Sequence, residues 1–269
     1  MEAITTVFRR LPVLAWMGVL QLLLVPVFAV LGLIDERTVD GLSTWLKPVK
    51  FGISLGVFLL SLAFFTHWLR EGATRRLWYR LTIAGLVLAT AYESIWLWQA
   101  SARGVRSHFN IDSGAEAAAF NLAGLFAIIL VLGAFSIGLG VHRASREPGR
   151  NRALSASIAY GLMLTFPLTL LTAGLIGYSG GAWGGSVQGP QPGLFGWRVE
   201  GGDLRAAHFF ATHALQALPL TGLLALALPK TLGLWLVRLA ALGYAGFVAW
   251  LAHGAVTGQD LPPVLVWPF

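Results

Sequence analysis

The chain contains no cysteine in 269 residues. That excludes cysteine-ligated iron–sulfur clusters, thiolate zinc sites, c-type haem attachment and structural disulfides, and leaves His, Asp and Glu as the available metal ligands. Charge is scarce as well. Only 12% of residues are Asp, Glu, Lys or Arg, whereas soluble domains carry about 25%. No long hydrophilic stretch interrupts the chain, so no separate soluble domain is expected. In place of charge there is 56% hydrophobic composition and a mean hydropathy of +0.70, which is the composition of a membrane protein. The net charge of +7 would point to nucleic acid in a soluble chain. Here the basic residues fall in loops without interleaved aromatics, so nucleic acid is excluded and the lipid bilayer is the expected partner.

Roughly 20 apolar residues cross the hydrocarbon core as a helix. On that measure the sequence predicts seven spans, near 12–34, 46–69, 78–101, 117–141, 153–177, 204–228 and 232–255. Arg9 and Arg10 precede the first, whose apolar run is too long for a signal peptide, so it is read as an uncleaved helix. Eleven Lys and Arg residues fall on one side of the alternating connections against seven on the other. The expected orientation is therefore an N-terminus in the cytoplasm and a C-terminus outside. Short connections favour antiparallel neighbours, so the fold class is all-α, a single seven-helix transmembrane domain over residues 1–269. Pro26, Pro167 and Pro219 fall within spans and can kink them. The Gly52-to-Gly56 spacing permits close packing between helices or between copies in a homo-oligomer. One connection is long: residues 178–203 are rich in Gly and Pro and include Trp183, Phe195 and Trp197. It is read either as an outside loop or as a cap over a site at the outer mouth.

The polar residues concentrate towards that outer side. Ionisable groups inside a bilayer cost about 2.5–3.5 kcal/mol each at the centre of a span, so they face protein or water. At about 100° per residue, Arg205, His208, Thr212, His213 and Gln216 share one sector of the sixth span. The third span carries Glu93, with Gln99 and Arg103 on a neighbouring stripe. Glu93 needs a cation, a hydrogen-bonding network or a proton. Arg103 is a candidate partner for it, or snorkels to the surface. At the start of the second span, Lys47 reads as interfacial, and Lys50, a turn further in, could neutralise Glu93 or bind an anion. His253 and His108 map to the same outer side, which makes His208, His213, His253 and His108 the candidate metal ligands. The simpler role for His208 and His213 is a hydrogen bond to a neighbouring helix.

At WLKPVKF, SHFN and GGDLRAAHFFATHALQALPL the chain resembles multi-pass membrane proteins of bacteria. The resemblance implies a place in the bacterial inner membrane and brings no reaction with it. Seven helices are also similar in architecture to rhodopsins and to the seven-helix zinc hydrolases that include alkaline ceramidases. The seventh span has Arg238 and no lysine for a retinal Schiff base, and the histidine spacing does not match the hydrolases, so no catalytic role carries over. The expected function is an outward-facing intramembrane His/Glu site that binds a divalent metal, haem b or a small or lipid-associated ligand, with enzyme activity as one outcome. Two alternatives stand beside it: a proton-coupled transporter using Glu93, and a non-catalytic accessory subunit of a membrane complex.

Overall fold

The computed structural model describes residues 8, 11–180 and 196–265. Seven α-helices lie among the described residues: α1 (Pro12–Ile34), α2 (Leu46–Phe65), α3 (Leu77–Arg103), α4 (Gly114–Ala144), α5 (Arg152–Ser179), α6 (Leu204–Ala225) and α7 (Lys230–Val256). Six of them are long and apolar enough to cross a membrane. The exception is α6, whose first half holds Arg205, His208, His213 and Gln216. Each helix overlaps one of the expected spans. The second ends early, at Phe65, and closes with a 3-10 turn over Thr66–Trp68. The helices containing Pro26, Pro167 and Pro219 continue through their prolines.

The apolar residues are not confined to an interior. On α1, Trp16, Leu20, Leu23, Val27, Val30 and Leu33 are all at least half exposed. Water would oppose such a surface, whereas lipid does not. Capping is sparse but placed where helices leave the apolar run. Asn151 accepts from the Leu154 amide at 3.0 Å to start α5, and Asp203 accepts from the Arg205 amide at 2.8 Å to start α6. Gly104 and Gly180 end α3 and α5 in the left-handed region, where a Cβ would be strained.

The chain forms two compact units, Met1–Ala144 and Ser145–Phe269. In the first, α1 crosses α2 and α3 packs on α4. The α1–α2 crossing is built on glycine: a Cβ on Gly18 would stand 3.0 Å from the Gly56 carbonyl, and one on Gly56 would stand 2.7 Å from Leu22. Gly52 and Gly56 therefore serve contact with α1 inside this unit. Between α1 and α2 a hairpin forms, β1 (Thr38–Val39) antiparallel to β2 (Leu42–Ser43), with Thr38 opposite Ser43. Its turn is Asp40-Gly41, both at positive φ, as a two-residue hairpin loop requires.

In the second unit α6 packs against both α5 and α7. Its buried face is small, with Ala207, Ala211 and Ala214 fully enclosed, so backbone meets backbone. At Gly161 on α5 a Cβ would lie 2.8 Å from the Ala214 carbonyl oxygen and 3.2 Å from the Leu215 Cα. Neither atom can rotate away. Gly161→Ala is expected to destabilise the protein by about 1–3 kcal/mol. Gly174→Ala, whose Cβ meets nothing within 4 Å, should leave stability unchanged or slightly raised. Thermal unfolding in detergent compares the two, and equal midpoints would contradict the close crossing.

Candidate functional site

In the first unit, the groups that a bilayer would tolerate least gather at the end where α2 begins and α3 finishes. Glu93 is buried, 4% exposed, in the middle third of α3, ten residues before the helix ends at Arg103. No hydrogen bond from a described residue reaches its carboxylate. Its electrostatic partner is Lys47, in the first turn of α2, which is also attracted by Asp40. Lys50, expected to play that part, is exposed. Arg103 pairs with Glu116 at 2.6 Å, and Gln99 is exposed.

Lys47 leads into the loop that carries His108, one of the expected metal ligands. Its Nζ donates to Ser107 Oγ at 2.8 Å, and Ser107 Oγ lies 3.1 Å from His108 Nδ1. The His108 ring is set among Phe51, Trp96 and Phe120, with centroids 5.0–5.9 Å away. Ser107 is itself buried. On α3, at three-residue spacing beside Glu93, Thr90 Oγ1 and Trp96 Nε1 are buried with no hydrogen-bond partner. Next to Glu93 along α3, Ser94 Oγ accepts from Gln21 Nε2 of α1 at 2.7 Å, a pair whose needs are met.

The loop is held from several directions. Arg106 pairs with Asp40 at the hairpin turn, and Asn110 Nδ2 donates to the Arg106 carbonyl at 2.9 Å. Asp35 accepts from Arg37, and from Trp45 Nε1 at 2.8 Å. Arg37 also donates to the Ala102 carbonyl at 3.1 Å, which ties the end of α1 to the end of α3. The Arg37 guanidinium, followed by the Trp45 indole, holds the Asp35 carboxyl well below the usual carboxylate range.

The second unit holds a separate polar group on α5 and α6. His208 Nδ1 lies 3.1 Å from Thr172 Oγ1, and Thr172 donates back to the Leu168 carbonyl at 2.9 Å. His213 Nδ1 is 2.8 Å from the carbonyl of Phe209, and its ring stacks on Phe209 with centroids 4.0 Å apart. Gln216 is half-buried and His253 is exposed on α7. Thr169 Oγ1 is buried without a partner, and Tyr244 donates to the Phe210 carbonyl at 2.7 Å. These hydroxyls carry no signal in the sequence, because single Thr and Tyr residues in apolar spans are common.

Asp203 organises the entrance to α6. Its side chain is fully buried and accepts from the Arg198 and Arg205 amides, each at 2.8 Å, and from the Arg205 guanidinium. Residues 196–203 are joined to the C-terminal segment by Leu261 N donating to the Val199 carbonyl at 2.7 Å and Gly201 N donating to Asp260 at 3.0 Å. Of the connection 178–203 expected as a loop or a cap, residues 181–195, with Trp183 and Phe195, lie outside the described residues, while Trp197 is buried.

The sequence placed its candidate ligands in both units: Glu93, Lys50, Arg103, Gln99 and His108 in the first, and His208, His213, Gln216 and His253 in the second. Among the described residues no group of three or more His, Asp or Glu side chains is arranged to hold a metal ion. No protein-family model, curated protein or solved structure matches the chain.

Two outcomes follow from the carboxylates. Asp203→Ala removes an N-cap and leaves two buried amides unmet, and should cost about 1–3 kcal/mol in thermal unfolding. Asp35→Asn acts differently with pH. A carboxyl whose folded pKa is depressed stabilises the fold above its unfolded pKa, and the contribution fades as pH falls towards the folded value. The midpoint gap between Asp35→Asn and wild type should therefore be widest near neutrality and narrow below about pH 4. A gap independent of pH would remove the charge from the explanation.

Proposed function

We propose that this is a multi-pass protein of the bacterial inner membrane whose Glu93–Lys47–Ser107–His108 cluster binds a small ligand from the outer side. The observation that carries the reading is the run of unmet polar groups on one side of α3. Glu93, Thr90 and Trp96 are all buried, and no described residue hydrogen-bonds the Glu93 carboxylate, Thr90 Oγ1 or Trp96 Nε1. The unmet hydroxyl and indole cost about 1–3 kcal/mol each, and with the buried carboxylate between them they form a set of donors and acceptors suited to a ligand.

The chemistry on offer is mixed. Lys47 and the Trp96 indole donate, Glu93 accepts, and the rings of Phe51, Phe120 and Trp96 supply apolar contact around His108. That set suits an amphipathic molecule with a polar head better than a bare metal ion. The outward position rests on the basic-loop asymmetry, which supports a cytoplasmic N-terminus and hence an outer location for the start of α2 and the end of α3. A lone buried carboxylate beside one ammonium is also what a proton carrier requires, which keeps proton-coupled transport as the second reading.

Native mass spectrometry of the protein released from its own lipids tests this. A small organic adduct in near-equimolar amount is expected on wild type, reduced tenfold or more in Glu93→Gln and Lys47→Met. A stoichiometric metal or haem lost in His208→Ala would replace the reading with a metal site in the second unit. No adduct, together with proton-coupled solute uptake in vesicles that depends on Glu93, would replace it with transport.

A further inference from the structure

We propose that Ser107 is an activated nucleophile, with His108 as its general base and Lys47 as the cation that steadies developing negative charge, acting on a carboxylic ester with an apolar acyl group. The inference deepens the ligand reading of the same cluster and rests on it.

Hydrogen-bond direction assigns the roles. An ammonium has only donors, so Lys47 gives a proton to a Ser107 lone pair at 2.8 Å. The single hydroxyl proton of Ser107 is then left for His108 Nδ1 at 3.1 Å, which requires the neutral imidazole with its proton on Nε2. A hydroxyl that donates to a base while a cation lies beside its oxygen is the arrangement an attacking serine needs.

The support around these side chains is rigid. Phe109, the residue after the histidine, has φ +58, a left-handed conformation that is costly for an aromatic residue. Strain of this kind persists where surrounding contacts enforce it. Here the Arg106–Asp40 pair, the Asn110-to-Arg106 hydrogen bond and the Phe109–Phe120 ring contact at 5.0 Å enforce it. The rings about His108 are apolar, which favours an acyl chain over a charged one.

In the reaction, Ser107 Oγ bonds to the ester carbonyl carbon while its proton passes to His108 Nδ1. The carbonyl oxygen takes the electron pair as an oxyanion near Lys47. Collapse re-forms the carbonyl and breaks the bond to the alkoxide, which leaves as an alcohol with the proton from His108. Water, deprotonated by His108, then attacks the acyl-serine carbonyl carbon; collapse breaks its bond to Ser107 Oγ, which takes the proton back from His108, and a carboxylic acid is released.

The test uses the full chain in detergent or nanodiscs with an alkyl fluorophosphonate, which a nucleophilic serine attacks with loss of fluoride. Peptide mapping should place the label on Ser107. The labelling rate should fall about a hundredfold in His108→Gln and clearly in Lys47→Met, with folding checked by size exclusion and thermal unfolding. Ser107→Cys is the second variant and should be alkylated by iodoacetamide faster when His108 is present. Labelling elsewhere only, or at Ser107 equally fast in His108→Gln, would overturn the proposal. Loss of the copurifying adduct in Glu93→Gln with Ser107 still unlabelled in wild type would leave the ligand site standing and remove the nucleophile. Labelling without any adduct would do the reverse.

Discussion

A hydrocarbon solvent accepts no hydrogen bonds, so polar groups within the spans must find partners in the protein. Many of the serine and threonine hydroxyls obey this by turning back on their own helix. Ser61 donates to the Val57 carbonyl, Thr82 to Trp78, Thr165 to Gly161, Thr212 to Phe209 and Thr221 to Leu218. These bonds satisfy the side chain one turn away and ask nothing of the fold. Against that habit, the few groups that do not turn back become informative. Thr90, Glu93 and Trp96 stand together on α3, and Thr169 stands beside the Thr172–His208 contact on α5 and α6.

The same solvent explains the packing. Lipid tails are as apolar as leucine, so helices associate through close van der Waals fit and not through exclusion from water. Glycine and alanine line the crossings in both units, from Gly18 and Gly56 on α1 and α2 to Gly161 and Ala214 on α5 and α6. Large side chains such as Leu23, Leu81 and Leu242 are left on the outside. A soluble protein distributes its side chains in the opposite way.

The helices were legible because a run of about twenty apolar residues has few alternatives in a membrane. The site was legible in part. Glu93 stands out as a lone acid in an apolar span, whereas the part of Lys47, read from the sequence as interfacial, depends on its direction around the helix and not on its depth along it. Lys50 is a turn further in, yet it emerges at the surface, while Lys47 turns towards Ser107 and feels Glu93. The hairpin at Val39-Asp40-Gly41-Leu42 carries a recognisable Asp-Gly turn signal, too short to register beside spans of about twenty residues. Thr172 had no signal, and Ser107 stood only as the first residue of SHFN, since what gives both meaning is the neighbour that tertiary structure supplies.

Asp40 shows how that neighbour is supplied. It sits at the tip of the hairpin with φ +54, pairs with Arg106 and attracts Lys47. The ion pairs at this end are exposed, and each such pair is worth little on its own, 1 kcal/mol or less. Their value lies in where they pull. Asp35 fixes Arg37 against the end of α3, Glu116 holds Arg103, and Asp40 draws the Arg106 loop towards the start of α2. Three weak ties on two connections, α1–α2 and α3–α4, hold the segment of residues 104–113, so Ser107 meets Lys47 without a large interaction forcing them together. A site built this way is ordered mainly by geometry, and its polar groups remain available to a ligand instead of being consumed in holding the fold.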